Sequence, residues 1–314
     1  KELIFQNNNN NSDKIKNDDD DEINSNNNNV TTTTISNEQQ QQEDLQQLRE
    51  NCPESYDEER IRFLRAKNGN VSEAIIKLQE YLLWRKQHNL DSLEYQARLS
   101  TLSDEQEWYE SCILAQRYYQ EKNKKKKKKK KSKINSNTIL PQIIFVYNNK
   151  SSTTTGSNAL QTSITTKDGS LVLHFIPNRI DLKLADIDTY TLTIGLYLDR
   201  KFDRKMLGHA TLLMDVGFQT RSLMPFLKST SNLLHRYYPE RLYRCFLYAI
   251  PKSALWIWDM LQPFLDNNIK NSIHLLNNNN TIPFTNNEVL LQFIDQECLD
   301  IIEQNNTSRL LLQE

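Results

Sequence analysis

The chain has 314 residues, a formal net charge of −1 and a hydrophobic content of 37%. That length suits one or two domains. The charge balance leaves no overall nucleic-acid footprint, and the low apolar content implies long stretches outside any packed core. Cys52, Cys112, Cys245 and Cys298 show no paired spacing, which fits a reducing cytosol rather than a disulfide framework. No apolar run approaches the ~20 residues that span a bilayer, and there is no signal-peptide core. Membrane contact is therefore expected to be peripheral and the protein cytoplasmic.

Residues 1–45 are rich in Asn, Gln, Asp and Thr. Such a stretch cannot bury enough apolar area to offset chain entropy, and it reads as disordered, with order beginning near Asp57. Residues 58–66 place Ile61, Phe63 and Leu64 on a short helix that Asn68 and Gly69 stop. Asn70 then caps a second helix, with Glu73 at its third position as in a capping box. Val71, Ala74, Ile75, Leu78, Tyr81 and Leu82 follow at three- and four-residue spacing, an amphipathic stripe. A further helix is expected over 104–120.

Residues 122–168 break the pattern. The eight consecutive lysines 124–131 repel one another and stay solvated. Two readings apply to them. They form either a tolerant low-complexity loop, whose lengthening costs little, or a membrane patch (Lys124, Lys127, Lys131) worth about 1 kcal/mol per lysine at an anionic surface. Residues 142–147 read as a strand, 167–169 as a turn and 171–176 as a second strand. Helical segments follow over 184–202, then the near-continuous apolar run 210–216, which marks a strand covered on both faces. A helix over 223–238, a strand at 245–250 and a last strand at 273–276 complete an alternating order. That order predicts an α/β fold with a mixed, mostly parallel sheet and right-handed crossovers. One or two helices are expected over 288–303.

Between 245–250 and 273–276 lies the most apolar helix of the chain. Pro251 closes the strand, Ser253 can cap a helix, and Ala254, Leu255, Trp256, Ile257, Trp258, Met260, Leu261 and Phe264 leave almost no polar face. Such a helix is either buried or faces something apolar.

Three blocks here resemble the CRAL-TRIO family of lipid-binding proteins: Tyr237-Tyr238-Pro239-Glu240-Arg241-Leu242, Ala254-Leu255-Trp256 and Pro263-Phe264-Leu265-Asp266. Upstream, Arg62-Phe63-Leu64-Arg65-Ala66 and Trp84-Arg85 are similar to the small helical domain that precedes the lipid-binding domain in that family. Composition gives a disordered tail over 1–50 and a low-complexity insertion over 122–168, and the resemblance implies a helical domain over 51–121 between them. The lipid-binding domain would then span 169–305, before a tail over 306–314. It also implies a hydrophobic pocket under a movable gate helix, 253–265. The expected pocket and gate residues are Leu173, Phe175, Leu192, Leu196, Leu213, Phe246, Tyr248, Ala254, Leu255, Trp256, Trp258, Met260, Leu261 and Phe264.

Family members that bind phosphatidylinositol resemble one another at four head-group positions, which align here with Lys67, Asn68, Ser229 and Gln262. Only Lys67 keeps a charge. A buried phosphoinositol needs charge-assisted partners, so little exchange of that lipid is expected.

Catalytic chemistry has no footing in the sequence. Six glycines, at 69, 156, 169, 195, 208 and 217, allow no phosphate-cradling loop and no nucleophile elbow. The histidines at 88, 174, 209, 235 and 274 lack metal-ligand spacing and read as packing or surface residues. Asp215, at a strand end, has no second acid or base beside it and reads as structural. The expected function is therefore non-enzymatic binding and transfer of a lipid by a monomer, with no cofactor, metal or nucleic acid. The alternative is a scaffold module of the same fold with no exchanged ligand.

Overall fold

In the computed structural model of the protein, the described residues are 26–99, 102–125, 139–149, 162–216, 220–248, 273–276 and 287–311. Two units divide between Glu43 and Asp44. The described part of the first, from Asn26 onward, belongs to α1 (Asn26–Asn51). All other elements lie in the second.

The helix α1 corrects the expectation of disorder up to residue 45. Its Asn/Gln-rich composition hides the spacing of Leu45, Leu48 and Cys52, which brings one stripe into the main core. Leu48 is fully buried, a contribution of about 1.5–3 kcal/mol. The Arg49 guanidinium grips Asp57 through two hydrogen bonds of 3.0 and 2.9 Å, which ties this helix to α2 (Asp57–Arg65). The turn after α2 is left-handed at Asn68 and Gly69, with φ of 49° and 81°, a conformation that glycine adopts freely. Asn70 then caps α3 (Val71–Gln87) as expected, its side chain accepting from the Glu73 N–H at 3.1 Å. A short helix α4 (Leu93–Leu99), which the sequence reading did not anticipate, precedes α5 (Asp104–Lys125).

The main sheet holds β1 (Ile144–Val146), β4 (Leu171–Phe175), β5 (Ala210–Asp215), β6 (Leu242–Tyr248) and β7 (Ile273–Leu275), in that spatial order. β1 is antiparallel to β4 and the other three pairings are parallel. A separate two-strand ladder, β2 (Asn148–Asn149) with β3 (Thr162–Ser163), leads out of and back into the β1–β4 connection. Strand β6 starts three residues before the expected 245. Leu242, Tyr243 and Arg244 are not an apolar run, yet Leu242 and Arg244 pair with Ala210 and Thr211. Helices α6 (Ile187–Lys201) and α7 (Thr220–Tyr237) cross over between the parallel strands. They approach closely at Gly195, where an added Cβ would meet Leu233 Cδ1 at 3.1 Å. The described chain closes with α8 (Glu288–Leu291) and α9 (Gln296–Leu311). Among the described residues, no helix is long and apolar enough to cross a membrane.

Helix α5 runs antiparallel to α6. At one end Tyr197 Oη donates to Asp104 at 2.5 Å, and Lys201 lies between Asp104 and Glu107. At the other end Tyr119 lies near Asp186 and Asp188. Between α3 and α5, His88 packs its ring on Trp84 and Tyr118, with centroids 5.4 and 4.5 Å away. Burial, and secondarily Lys122, lower its imidazole to about 4. A histidine depressed in the fold binds its proton more readily when unfolded. Its neutral form therefore supports the fold above pH about 6.5, and that support is lost as pH falls toward 4. His88→Phe, which keeps the ring packing, is expected to remove part of this acid sensitivity. Urea unfolding at pH 7 and pH 5 would show a smaller difference between the two pH values than in the parent.

Candidate functional site

Because strand side chains alternate, the register of the sheet sorts its residues onto two faces. On one face, Val146, Leu173, Leu212, Cys245 and Ile273 form a row across all five strands. Ile144, Phe175, Met214, Leu247 and Leu275 form a second row beside it. Both rows are wholly apolar. Phe226 of α7 meets Phe175 and Tyr190 on this side, so this is the face that α6 and α7 cover. Cover is tight over β1 and β4 and thins toward β7: Ile144 and Phe175 are 4% exposed, Leu247 is 7% and Leu275 is 45%.

The opposite face differs in chemistry. Phe145, His174, Leu213, Phe246 and His274 stand in one row. Leu290, Ile294, Leu299 and Ile302 of the C-terminal helices and the turn between them belong to the core cluster on this face. Within it His174 is fully buried between two phenols, with Nδ1 2.7 Å from Tyr147 Oη and Nε2 2.6 Å from Tyr248 Oη. A neutral imidazole donates from one nitrogen and accepts at the other, which suits two hydroxyls. Burial first, and then Asp215, push the Tyr248 phenol well above its ordinary range. The sequence reading took His174 for a packing or surface histidine. Its position inside an apolar strand was the one available signal that it needed buried partners.

The residues expected to line the pocket therefore separate. Leu173, Phe175, Leu192 and Leu196 share the main core with α6 and α7. Leu213, Phe246 and Tyr248 belong to the cluster on the far face. The expected gate, with Ala254, Leu255, Trp256, Trp258, Met260, Leu261 and Phe264, lies outside the described residues, as does Gln262. Of the other head-group positions, Lys67 is half-buried and Asn68 exposed in the turn after α2. Ser229 accepts a hydrogen bond from Thr191 at 3.1 Å in the α6–α7 joint. Lys124 is exposed near the end of α5, and Lys127 and Lys131 lie outside the described residues.

An ion-pair network that the sequence did not reveal joins the N-terminal helices to α6 and the loop after it. Arg85, 1% exposed, binds the buried carboxylate of Asp199 and also Asp91 at 2.8 Å. Arg204 binds Glu59 at 2.6 Å and Asp91 at 2.7 Å. Burial works against the Arg85 charge, but Asp199, Tyr81 and Asp91 more than offset it and raise its pKa. The network borders a cleft of about 770 Å³. Arg85, Lys86, Arg204 and Lys205 in its lining are balanced by Glu54, Asp91, Asp199 and Asp203. A cleft so balanced favours neither sign of ligand, and its charges serve to join the two parts.

These features define an α/β domain: a five-strand, mostly parallel sheet with helices on both faces, preceded by a helical part. Residues 163–301 match the family model of the CRAL/TRIO domain. No curated protein matches the chain. Among solved structures, the crystal structure of Sfh5 is similar at a TM-score of 0.43 and 16% identity. That match covers 70% of this chain and 63% of the Sfh5 chain, less than two thirds of its length.

Proposed function

We propose that the protein is a lipid carrier. It shelters one hydrocarbon-rich ligand on the α6–α7 face of the sheet and exchanges it at membranes without catalysing a reaction, acting as a cytoplasmic monomer. The observation that carries this reading is the pair of apolar rows, which continue to β7 beyond the part that is tightly covered. Strands β6 and β7 are parallel neighbours, and parallel connections are right-handed in about 98% of cases. A right-handed 249–272 connection would run on the same side as α6 and α7, so the 253–265 gate would roof the rows over β6 and β7.

The floor is then Leu212, Met214, Cys245, Leu247 and Ile273, with Leu173 and Phe175 behind them. Leu213, Phe246 and Tyr248 support that floor from below. Each CH₂ taken from water is worth about 0.8 kcal/mol, so an acyl chain of ordinary length gains roughly 10 kcal/mol from such shelter. The ligand is a lipid without a buried phosphoinositol, because Lys67 is the only charge among the four head-group positions and Ser229 is engaged with Thr191. Trp256 and Trp258 suit a gate that opens at the membrane interface, since indole is apolar with one polar end.

Extraction of the purified protein is expected to release a stoichiometric lipid. Trp256→Ala combined with Trp258→Ala is expected to slow its exchange between vesicles at least tenfold, as judged by fluorescent-lipid transfer. A parent protein that yields no lipid would overturn the carrier reading in favour of a scaffold of the same fold.

A further inference from the structure

We infer, resting on the carrier reading, that Thr230 of α7 selects the ligand by hydrogen-bonding a neutral oxygen within it, an alcohol or an ester carbonyl. Thr230 is 5% exposed, and its Oγ1 is buried with no hydrogen-bond partner. The three threonines of α6 are all satisfied. Thr189 donates to Asp186 at 2.6 Å, Thr191 to Ser229 at 3.1 Å, and Thr193 to the Thr189 carbonyl four residues back at 2.8 Å. The same back-bond to the Phe226 carbonyl is open to Thr230, yet its hydroxyl does not make it. Burying a hydroxyl without a partner is costly, so one left open in a packed helix needs a partner from outside the chain.

Helix geometry sets where this hydroxyl stands. Ser229, bonded to Thr191, and Leu233, close to Gly195, mark the edge of α7 that faces α6. Phe226, Leu227 and Leu233 belong to the main core, and Thr230 falls between them on the same buried stripe. It lies about 100° round the helix from Ser229, on the side away from α6. Since α6 crosses between β4 and β5 and α7 between β5 and β6, that side is the one toward β6 and β7. Thr230 is also midway along α7, which runs back from the end of β5 to the start of β6. It is therefore level with Leu212 and Cys245, in the middle of the proposed floor.

Both apolar rows of that floor offer no counter-charge, so a charged group set there would be unpaired, and the ligand's group is neutral. A hydroxyl both donates and accepts, which suits an alcohol and a carbonyl alike. Thr211 Oγ1 is buried and open as well, but its register with Val172 and Arg244 sets it on the far face of the sheet. It supplies a matched control.

The full chain is incubated with phosphatidylcholine vesicles holding equal amounts of octadecane, octadecanol and methyl stearate. The protein is then recovered and its bound lipids are counted by mass spectrometry. The ratio of oxygenated lipid to octadecane is expected to be about fivefold higher in the parent than in Thr230→Val, as one hydrogen bond allows. Comparing parent with variant cancels the different tendencies of the three lipids to leave the vesicle, and whichever of octadecanol and methyl stearate is enriched identifies the group. Thr230→Ser, which keeps the hydroxyl, is expected to sort with the parent, Thr230→Ala with the valine variant, and Thr211→Val with the parent. Equal ratios in the parent and Thr230→Val, or a preference lost in Thr211→Val instead, would overturn the role of Thr230 while lipid uptake itself leaves the carrier reading standing. A parent that takes up no lipid from the vesicles overturns both.

Discussion

Asp199→Asn is expected to lower the free energy of unfolding by about 3–5 kcal/mol, the cost of leaving a buried cation without its buried partner. Arg85 is 1% exposed and Asp199 is nearly as deeply buried, whereas Asp91, the other carboxylate on Arg85, is half exposed. Solvent screens what Asp91 can offer, so it cannot replace Asp199. The loss should appear as a lower urea midpoint with an unchanged slope. Replacing both members of the pair, Arg85→Met with Asp199→Leu, is expected to recover most of it, because two apolar side chains of similar size carry no stranded charge. A double variant no more stable than Asp199→Asn would show that the pair does more than neutralise itself. The pair links α3 to α6, so α3 should also lose hydrogen-exchange protection in the single variant.

The second large effect separates the two faces of the sheet. Phe246 is fully buried on the far face, packed on Phe293 at 5.5 Å. Phe246→Ala is expected to cost about 3–5 kcal/mol through lost contacts and a cavity, yet to leave the amount of bound lipid unchanged. Its neighbour Leu247 faces the other way. Leu247→Trp adds bulk to the proposed floor and is expected to cost about 1–3 kcal/mol while reducing lipid per protein several-fold. Lipid extraction followed by mass spectrometry, alongside urea unfolding, reads both quantities on both variants. If Phe246→Ala empties the protein and Leu247→Trp does not, the ligand lies on the far face and the proposed pocket is wrong.

Much of the fold was legible before any coordinates. Asn68-Gly69, Asn70 and Glu73 mark one helix end and the next helix start by local hydrogen bonding, and the structure places both there. The apolar run 210–216 announced a strand buried on both faces, and β5 occupies it. Composition misled at the end of α1, where disorder was inferred from Asn and Gln content while Leu45 and Leu48, with Cys52 just beyond the helix, join the main core. It misled again at β6, where Tyr243 and Arg244 interrupt the apolar run but not the hydrogen-bonded ladder.

The candidate site was legible only in part. Leu173, Phe175, Leu213, Phe246 and Tyr248 were expected to line one pocket; all are buried strand residues, divided between two core clusters. Which of them share a face depends on the register between strands far apart in the chain, and hydrophobicity does not encode register when both faces are apolar. The Tyr147–His174–Tyr248 chain and the Arg85–Asp199 pair were invisible for a related reason. Their partners are separated by 27, 74 and 114 residues, and no local spacing announces a contact that tertiary packing creates.

The order of the main-sheet strands and their crossover helices, the main caps and the family resemblance were thus properties of the sequence by itself, since each depends on neighbours within a few residues or on contiguous blocks. The division of the sheet into a greasy face and a polar-centred face, and the ionic joint to the N-terminal helices, were decided only by the tertiary structure. Both depend on distances across the fold, which burial of apolar surface sets collectively rather than residue by residue.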